Sequence, residues 1–254
     1  MRTAFPDTPS PLAIAHRGGA LLAAENTAAA FRAAAAAGAE MVETDLRLSA
    51  DGRLVCLHDA DLARIAGDRR RVADTDLATL RALLPGLLTL EEAVAASQPL
   101  GLLLDVKLLE PAILPPILAI LAAAGASRRC VLGLRETSLL AAARALAPGL
   151  ALLAFAAAPD AVAQARDAGA GWFRLWQADA DESRIDAVRA AGMRCVVMVG
   201  QPRSVALPGY PAFPVGRVDA DGLRRILALR PDAVMLDDPR LLVAARAVTG
   251  LSPS

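Results

Sequence analysis

With 254 residues, 55% of them hydrophobic, the chain is long enough to bury one large core, and a single α/β barrel of about 250 residues suits it better than two small domains. Its 27 basic and 27 acidic side chains cancel, so no global field holds nucleic acid or an anionic membrane, and any anion must be attracted by local charge. Cys56, Cys130 and Cys195 each lie inside an apolar run at wide spacing, which points to buried thiols in a reducing cytoplasm and not to a disulfide framework or zinc site.

Up to Pro11 the chain carries Asp7 and three prolines where a signal peptide needs an apolar segment, and no run reaches the length of a membrane span. The expectation is a cytoplasmic protein without stable membrane association. Short runs rich in Val, Ile and Leu follow at 12–15, 41–48, 54–57, 100–106, 130–134, 151–155, 171–175, 195–199 and 233–236. Helical patterns at 27–37, 111–124, 136–146, 159–168, 181–191 and 219–229 separate most of them. Such alternation means βα units on a parallel sheet.

Nine runs exceed the eight strands of a (β/α)8 TIM barrel, and the surplus can be located. Only Ser-Ala-Asp51-Gly52-Arg separates 41–48 from 54–57, whereas parallel neighbours need a crossover of roughly a dozen residues. These two runs therefore form an antiparallel hairpin. Asp-Gly is favoured in two-residue turns, and with Asp51 and Gly52 as the central pair Asp45 falls opposite His58. Glu43 and Asp45, two apart, share a face, so Glu43, Asp45 and His58 are expected to cluster. Two carboxylates on one face repel unless a cation lies between them.

The segment 59–98 is too long for an ordinary βα connection and reads as an insertion. Arg69-Arg70-Arg71 is expected as a solvated loop, with short helices at 77–84 and 91–96. The proline-rich stretch 201–218 is expected to be either a lid over the site or an inert surface loop. The whole chain, 1–254, reads as one barrel domain.

His16 and His58 are the two histidines of the chain, so proton shuttling by imidazole near neutral pH has to use them. Barrel active sites gather at the C-terminal edge of the strands. His16 ends the first strand there, Glu43 and Asp45 stand near the end of the second, and Asp105-Val106-Lys107 ends the third. Three carboxylates suit a hard divalent cation such as Mg²⁺ or Ca²⁺, while Arg17 and Lys107 supply charge that a phosphate could use. Lys107 could instead form a salt bridge to one of those carboxylates. Trp172 and Phe173 read as core; Trp176, followed by Gln177 and Asp179, is the better candidate for a substrate pocket.

These residues carry a resemblance. Ala15-His16-Arg17-Gly18, Glu25-Asn26-Thr27, Glu43-Thr44-Asp45, Asp51-Gly52, His58-Asp59 with Leu62 and Arg64, Asp105-Val106-Lys107 and Leu236-Asp237-Asp238-Pro239 resemble the glycerophosphodiester phosphodiesterase family. The resemblance implies a TIM barrel that hydrolyses small glycerophosphodiesters to glycerol 3-phosphate and an alcohol with one divalent metal. It implies His16 and His58 as general base and acid, Glu43, Asp45 and Asp105 as metal ligands, and Arg17 and Lys107 as phosphate ligands. It also implies attack by the neighbouring glycerol hydroxyl, giving a cyclic phosphate that water then opens. The sequence departs from the family pattern at Asp105, where Glu is usual, at Gly133-Leu134 in place of Ser-Phe, and at Val197 to Gly200. Two alternatives stay open: a phospholipase D-like lyase that stops at the cyclic phosphate, and a barrel that binds a phosphorylated ligand without turning it over.

Overall fold

Eight of the predicted runs close into a parallel barrel, seen among residues 11–156, 158–202 and 213–249, which the computed structural model of the protein describes. The strands are β1 (Leu12–Ala15), β2 (Met41–Leu48), β4 (Gly101–Val106), β5 (Cys130–Leu134), β6 (Ala151–Ala154), β7 (Trp172–Trp176), β8 (Arg194–Met198) and β9 (Ala233–Leu236), with β3 (Leu54–Cys56) appended to β2. Parallel pairing runs β1–β2–β4–β5–β6–β7–β8–β9 and returns to β1, where Ala15 pairs with Val42 on one side and Leu236 on the other.

Because side chains alternate across a strand, each strand splits its residues between two cores. Ile14, Met41, Leu103, Val131, Trp172, Val196 and Met235 pack inside the barrel. Their alternates, among them Leu104, Leu132, Phe173, Val197 and Leu236, pack outward beneath the helices. Trp172 and Phe173 are thus both core, on opposite sides of one strand. The barrel interior is a filled plug, and space opens only above it, at the C-terminal edge.

Helices α1 (Ala28–Ala36), α5 (Leu114–Ala123), α6 (Thr137–Leu146), α7 (Val162–Asp167), α8 (Glu182–Ala190) and α9 (Ala220–Ala228) form the outer layer. Several begin at side-chain caps, with Thr27, Asp181 and Asp219 each accepting from a first-turn amide. A further helix, α10 (Pro239–Thr249), was absent from the sequence pattern and starts on Pro239, whose fixed φ and missing N–H suit a first helical position.

The insertion 59–98 holds α2 (Ala63–Ala66), α3 (Leu77–Leu83) and α4 (Leu90–Ala96), the last closed by a reciprocal Thr89–Glu92 capping box. Leu62, Val72, Leu80 and Leu87 bury a small core of their own against Val55 and Leu57, and Arg69, Arg70 and Arg71 are exposed as expected. The expected lid falls mainly on 203–212, outside the described residues.

The hairpin forms, but its register differs from the expected one by a residue. Leu46 pairs with Cys56 and Leu48 with Leu54, and Ser49 N–H donates to Arg53 O, so the loop is Ala50-Asp51-Gly52, with Gly52 at φ 74°. Three-residue loops with a left-handed third residue are a common hairpin solution. Asp45 therefore faces Leu57, whose amide donates to Asp45 O at 3.1 Å, and not His58.

Candidate active site

The first strand delivers its polar end through a strained turn. After Ala15 the chain makes a short 3-10 turn, His16–Gly18, in which Arg17 adopts φ 52° and Gly18 φ 78°. A side chain on Gly18 would drive into the Phe31 ring, 2.6 Å away, so the third motif residue has no room for a Cβ. The left-handed turn aims the Arg17 amide at Glu43 Oε2, 2.7 Å away. A left-handed conformation costs a non-glycine residue about 1 kcal/mol or more, strain of a kind that clusters at functional sites. Asn26 is left-handed too, at φ 58°, and its Nδ2 donates to Asp45 Oδ2 at 3.0 Å while Thr44 Oγ1 donates to its Oδ1 at 2.7 Å.

Glu43, Asp45 and Asp105 are all buried, and one oxygen from each lies within 4.8 Å of the others. The sheet dictates this: Asp45 and Asp105 are register partners on adjacent strands, and Glu43 is two residues back on the same face. Burial, together with the charges of Asp45 and Asp105, raises the Glu43 carboxyl well above the usual carboxylate range. Burial also opposes charge on Asp45 and Asp105, but neighbouring cations outweigh it and hold both low, Lys107 and Arg17 for Asp45, Lys107 and Arg135 for Asp105. Three buried carboxylates with their oxygens converging suit a hard divalent ion and could hold one.

Lys107 forms the salt bridges the sequence left open. Its ammonium pairs with Asp105 and lies 2.8 Å from Asp45 Oδ1, an oxygen with this ionic neighbour but no aligned hydrogen bond. Arg17 is fully buried, donates from Nη1 to Glu25 at 3.1 Å, and holds Nε 3.7 Å from Asp45 Oδ2. Arg64 ties Glu25 at 2.5 Å to Asp59, which makes the motif residues one chain of alternating charge.

His58 reaches the cavity from the loop after β3, so the missed register did not separate it from the carboxylates. Its Nδ1 sits 2.7 Å from Asp59 Oδ1, and His16 Nδ1 sits 2.7 Å from Asp237 Oδ1. A carboxylate at Nδ1 favours the proton there and leaves Nε2 as the acceptor in the neutral ring. Burial pulls His58 down to about 4, with Lys107 and Arg17 adding to the effect against the pull of Asp45.

All of His16, Arg17, Glu43, His58, Asp105 and Lys107 line one cavity of about 280 Å³. Trp176, the candidate for a substrate pocket, lines the same cavity. Arg135, Phe155 and Arg174 also line it and were missed in the sequence, while Asp237, visible there as a motif residue, had no role assigned as the partner of His16. Arg135 follows β5 and grips Asp105 with both guanidinium nitrogens, and Arg174 lies two residues before Trp176 on β7. Both carried a signal: each is a charge at an inward position at or beside an apolar strand.

The fold and the site define a class, a (β/α)8 barrel with a buried carboxylate centre and two carboxylate-held histidines at its C-terminal mouth. Residues 16–115 match the glycerophosphoryl diester phosphodiesterase family. The glycerophosphodiester phosphodiesterase of Caldanaerobacter subterraneus is 40% identical over 76 residues, 30% of this chain and 31% of the relative. Glycerophosphodiester phosphodiesterase 1 of Bos taurus is 47% identical over 73 residues, 29% of this chain and 22% of the relative. The chain thus aligns with less than a third of the length of these curated relatives. Solved structures match throughout: an Oleispira antarctica phosphodiesterase in complex with its product sn-glycerol-3-phosphate has a TM-score of 0.75 at 23% identity, covering 94% of this chain and 97% of that one. The glycerophosphodiester phosphodiesterase of Thermotoga maritima has a TM-score of 0.72 at 23% identity, covering 92% and 98%. Residues 16–115 are thus similar to the glycerophosphoryl diester phosphodiesterase family, and the chain as a whole shares the fold of these solved structures.

Proposed function

We propose that the protein is a metal-dependent phosphodiesterase that hydrolyses glycerophosphodiesters to glycerol 3-phosphate and an alcohol. The observation that carries this reading is that two histidines, each with Nδ1 held 2.7 Å from a carboxylate, line the cavity that the three-carboxylate cluster also lines. The family match over residues 16–115 and the product complex of the structurally similar Oleispira antarctica phosphodiesterase support the substrate class.

Glu43, Asp45 and Asp105 would hold the divalent cation, Mg²⁺ or Ca²⁺, which when bound offsets charge on the phosphoryl oxygens. Arg17 and Lys107 add donors to the same oxygens. With each Nδ1 held by a carboxylate, the Nε2 of both rings is left to move protons. One histidine removes the glycerol hydroxyl proton while the other protonates the leaving alkoxide, His16 being the base and His58 the acid by the resemblance. In the second step the two exchange roles, the one that gave up its proton taking one from water as the cyclic phosphate opens. Trp176 lies against the departing alcohol. Buried cysteines suit the reducing cytoplasm, and among the described residues no helix is long and apolar enough to cross a membrane.

The test is release of glycerol 3-phosphate from a small glycerophosphodiester with Mg²⁺ or Ca²⁺ added, in the wild type and in His16→Ala and His58→Ala. Activity that survives excess chelator, or survives in both variants, would refute the reading. Phosphorus NMR of the product identifies a lyase by a persisting cyclic phosphate.

A further inference from the structure

Opposite the carboxylate cluster, the cavity wall is built from arginine and aromatic rings. The inward positions of β7 are Trp172, Arg174 and Trp176, above an apolar plug and across from the carboxylates on β2 and β4. Burying a guanidinium there has a desolvation cost that compensating contacts must offset. Arg174 is 8% exposed, its guanidinium lies 4.6 Å from the centre of the Trp176 ring and 5.8 Å from that of Phe155, and Nη2 donates to Ala156 O at 3.3 Å. Arg135 lies 5.4 Å from the Phe155 ring, for which Gly133 leaves the space. In the closed ring of eight, β7 is four strands from β2, so Arg174 looks across the cavity toward Glu43 and Asp45.

We propose, resting on the phosphodiesterase reading above, that Arg174 and Trp176 form the leaving-group subsite and select diesters whose alcohol carries an anion, such as a second phosphate, over those with a quaternary ammonium. Carboxylates, histidines and Lys107 fix the scissile phosphate against β1, β2 and β4, so the group on its far side meets β7. A guanidinium offers donors in a planar fork and no acceptor, which matches phosphate or carboxylate and not a cation. Quaternary ammonium groups are bound on aromatic faces; here guanidinium groups already cover those faces and repel a like charge.

The experiment compares kcat/KM, with Mg²⁺ or Ca²⁺, for three substrates sharing the glycerophosphoryl half: glycerophosphocholine, glycerophosphoglycerol, and glycerophosphoglycerol bearing a terminal phosphate. The wild type is expected to favour the phosphate-bearing diester over glycerophosphocholine by roughly tenfold or more. Arg174→Gln is expected to cut the ratio of phosphate-bearing to neutral substrate by roughly 10–100-fold, chiefly through KM, the range a charged hydrogen bond supports. Arg174→Lys should restore part of it. Equal wild-type rates, or a preference for choline, overturn the inference, and this comparison stands even if Arg174→Gln fails to fold. An equal loss on all three substrates also overturns it, by assigning Arg174 to the shared glycerophosphoryl half. No turnover of any diester by the wild type instead removes the phosphodiesterase reading, and this inference with it.

Discussion

His16 and Asp237 stand 221 residues apart in sequence and 2.7 Å apart in space, Nδ1 to Oδ1, where the first and last barrel strands meet. The pair fixes the His16 tautomer. Asp237→Asn preserves shape and removes the charge, and kcat should fall roughly 100-fold or more, as the loss of an orienting carboxylate does elsewhere. An unchanged kcat in a folded variant would show that the contact does not serve the chemistry.

Gly216, at φ 83°, packs against this carboxylate, and Asp237 N–H donates to Gly216 O at 2.7 Å. Any Cβ at 216 would overlap the Asp237 side chain. Gly216→Ala should therefore lower kcat through displacement of Asp237 and destabilise the fold by about 1–3 kcal/mol. Thermal melting alongside turnover separates the two effects.

Glu43 is raised well above its usual value by burial and by Asp45 and Asp105, so a proton competes with a cation for it. Affinity for Mg²⁺ or Ca²⁺ should therefore rise with pH, with proton release on binding while Glu43 is protonated. Calorimetry in two buffers of different ionisation enthalpy measures that release; Glu43→Gln should abolish it.

His58 in the folded protein titrates at about 4, against about 6.5 in an unfolded chain. Between those values the unfolded chain binds more protons, so stability falls as pH drops through that window and is level above it. In chelator-treated protein this contributes on the order of 1–3 kcal/mol. Chemical denaturation across pH should show the slope, and His58→Gln should flatten it.

Burial pushes the thiols of Cys56 and Cys195 up to about 12 and that of Cys130 up to about 11. Thiolate is the reactive form, so an aromatic disulfide reagent at pH 8 should label none of them in the native protein and all three after denaturation. Rapid native labelling would mean that the barrel opens readily.

The fold was legible because parallel strands announce themselves: unbroken Val, Ile and Leu runs at helix-length spacing leave few alternatives to a barrel. The hairpin register was not, since Asp51-Gly52 serves two-residue and three-residue loops alike, and the Ser49 hydroxyl, which accepts from Arg53 N–H at 2.9 Å, favours the longer one. Arg174 could have been read from parity, since Trp172 and Trp176 share its face. Asp237 had a visible place at a strand end, but its partner could not be read, because only barrel closure brings the two ends of the chain together.

That closure has a consequence for biosynthesis. With His16 at the end of the first barrel strand and its carboxylate at the end of the last, a ribosome must add 221 residues after the histidine before its partner exists. A nascent chain without the last strand therefore leaves His16 without its carboxylate, and any activity that needs the pair should appear with completion of that strand and not gradually during elongation.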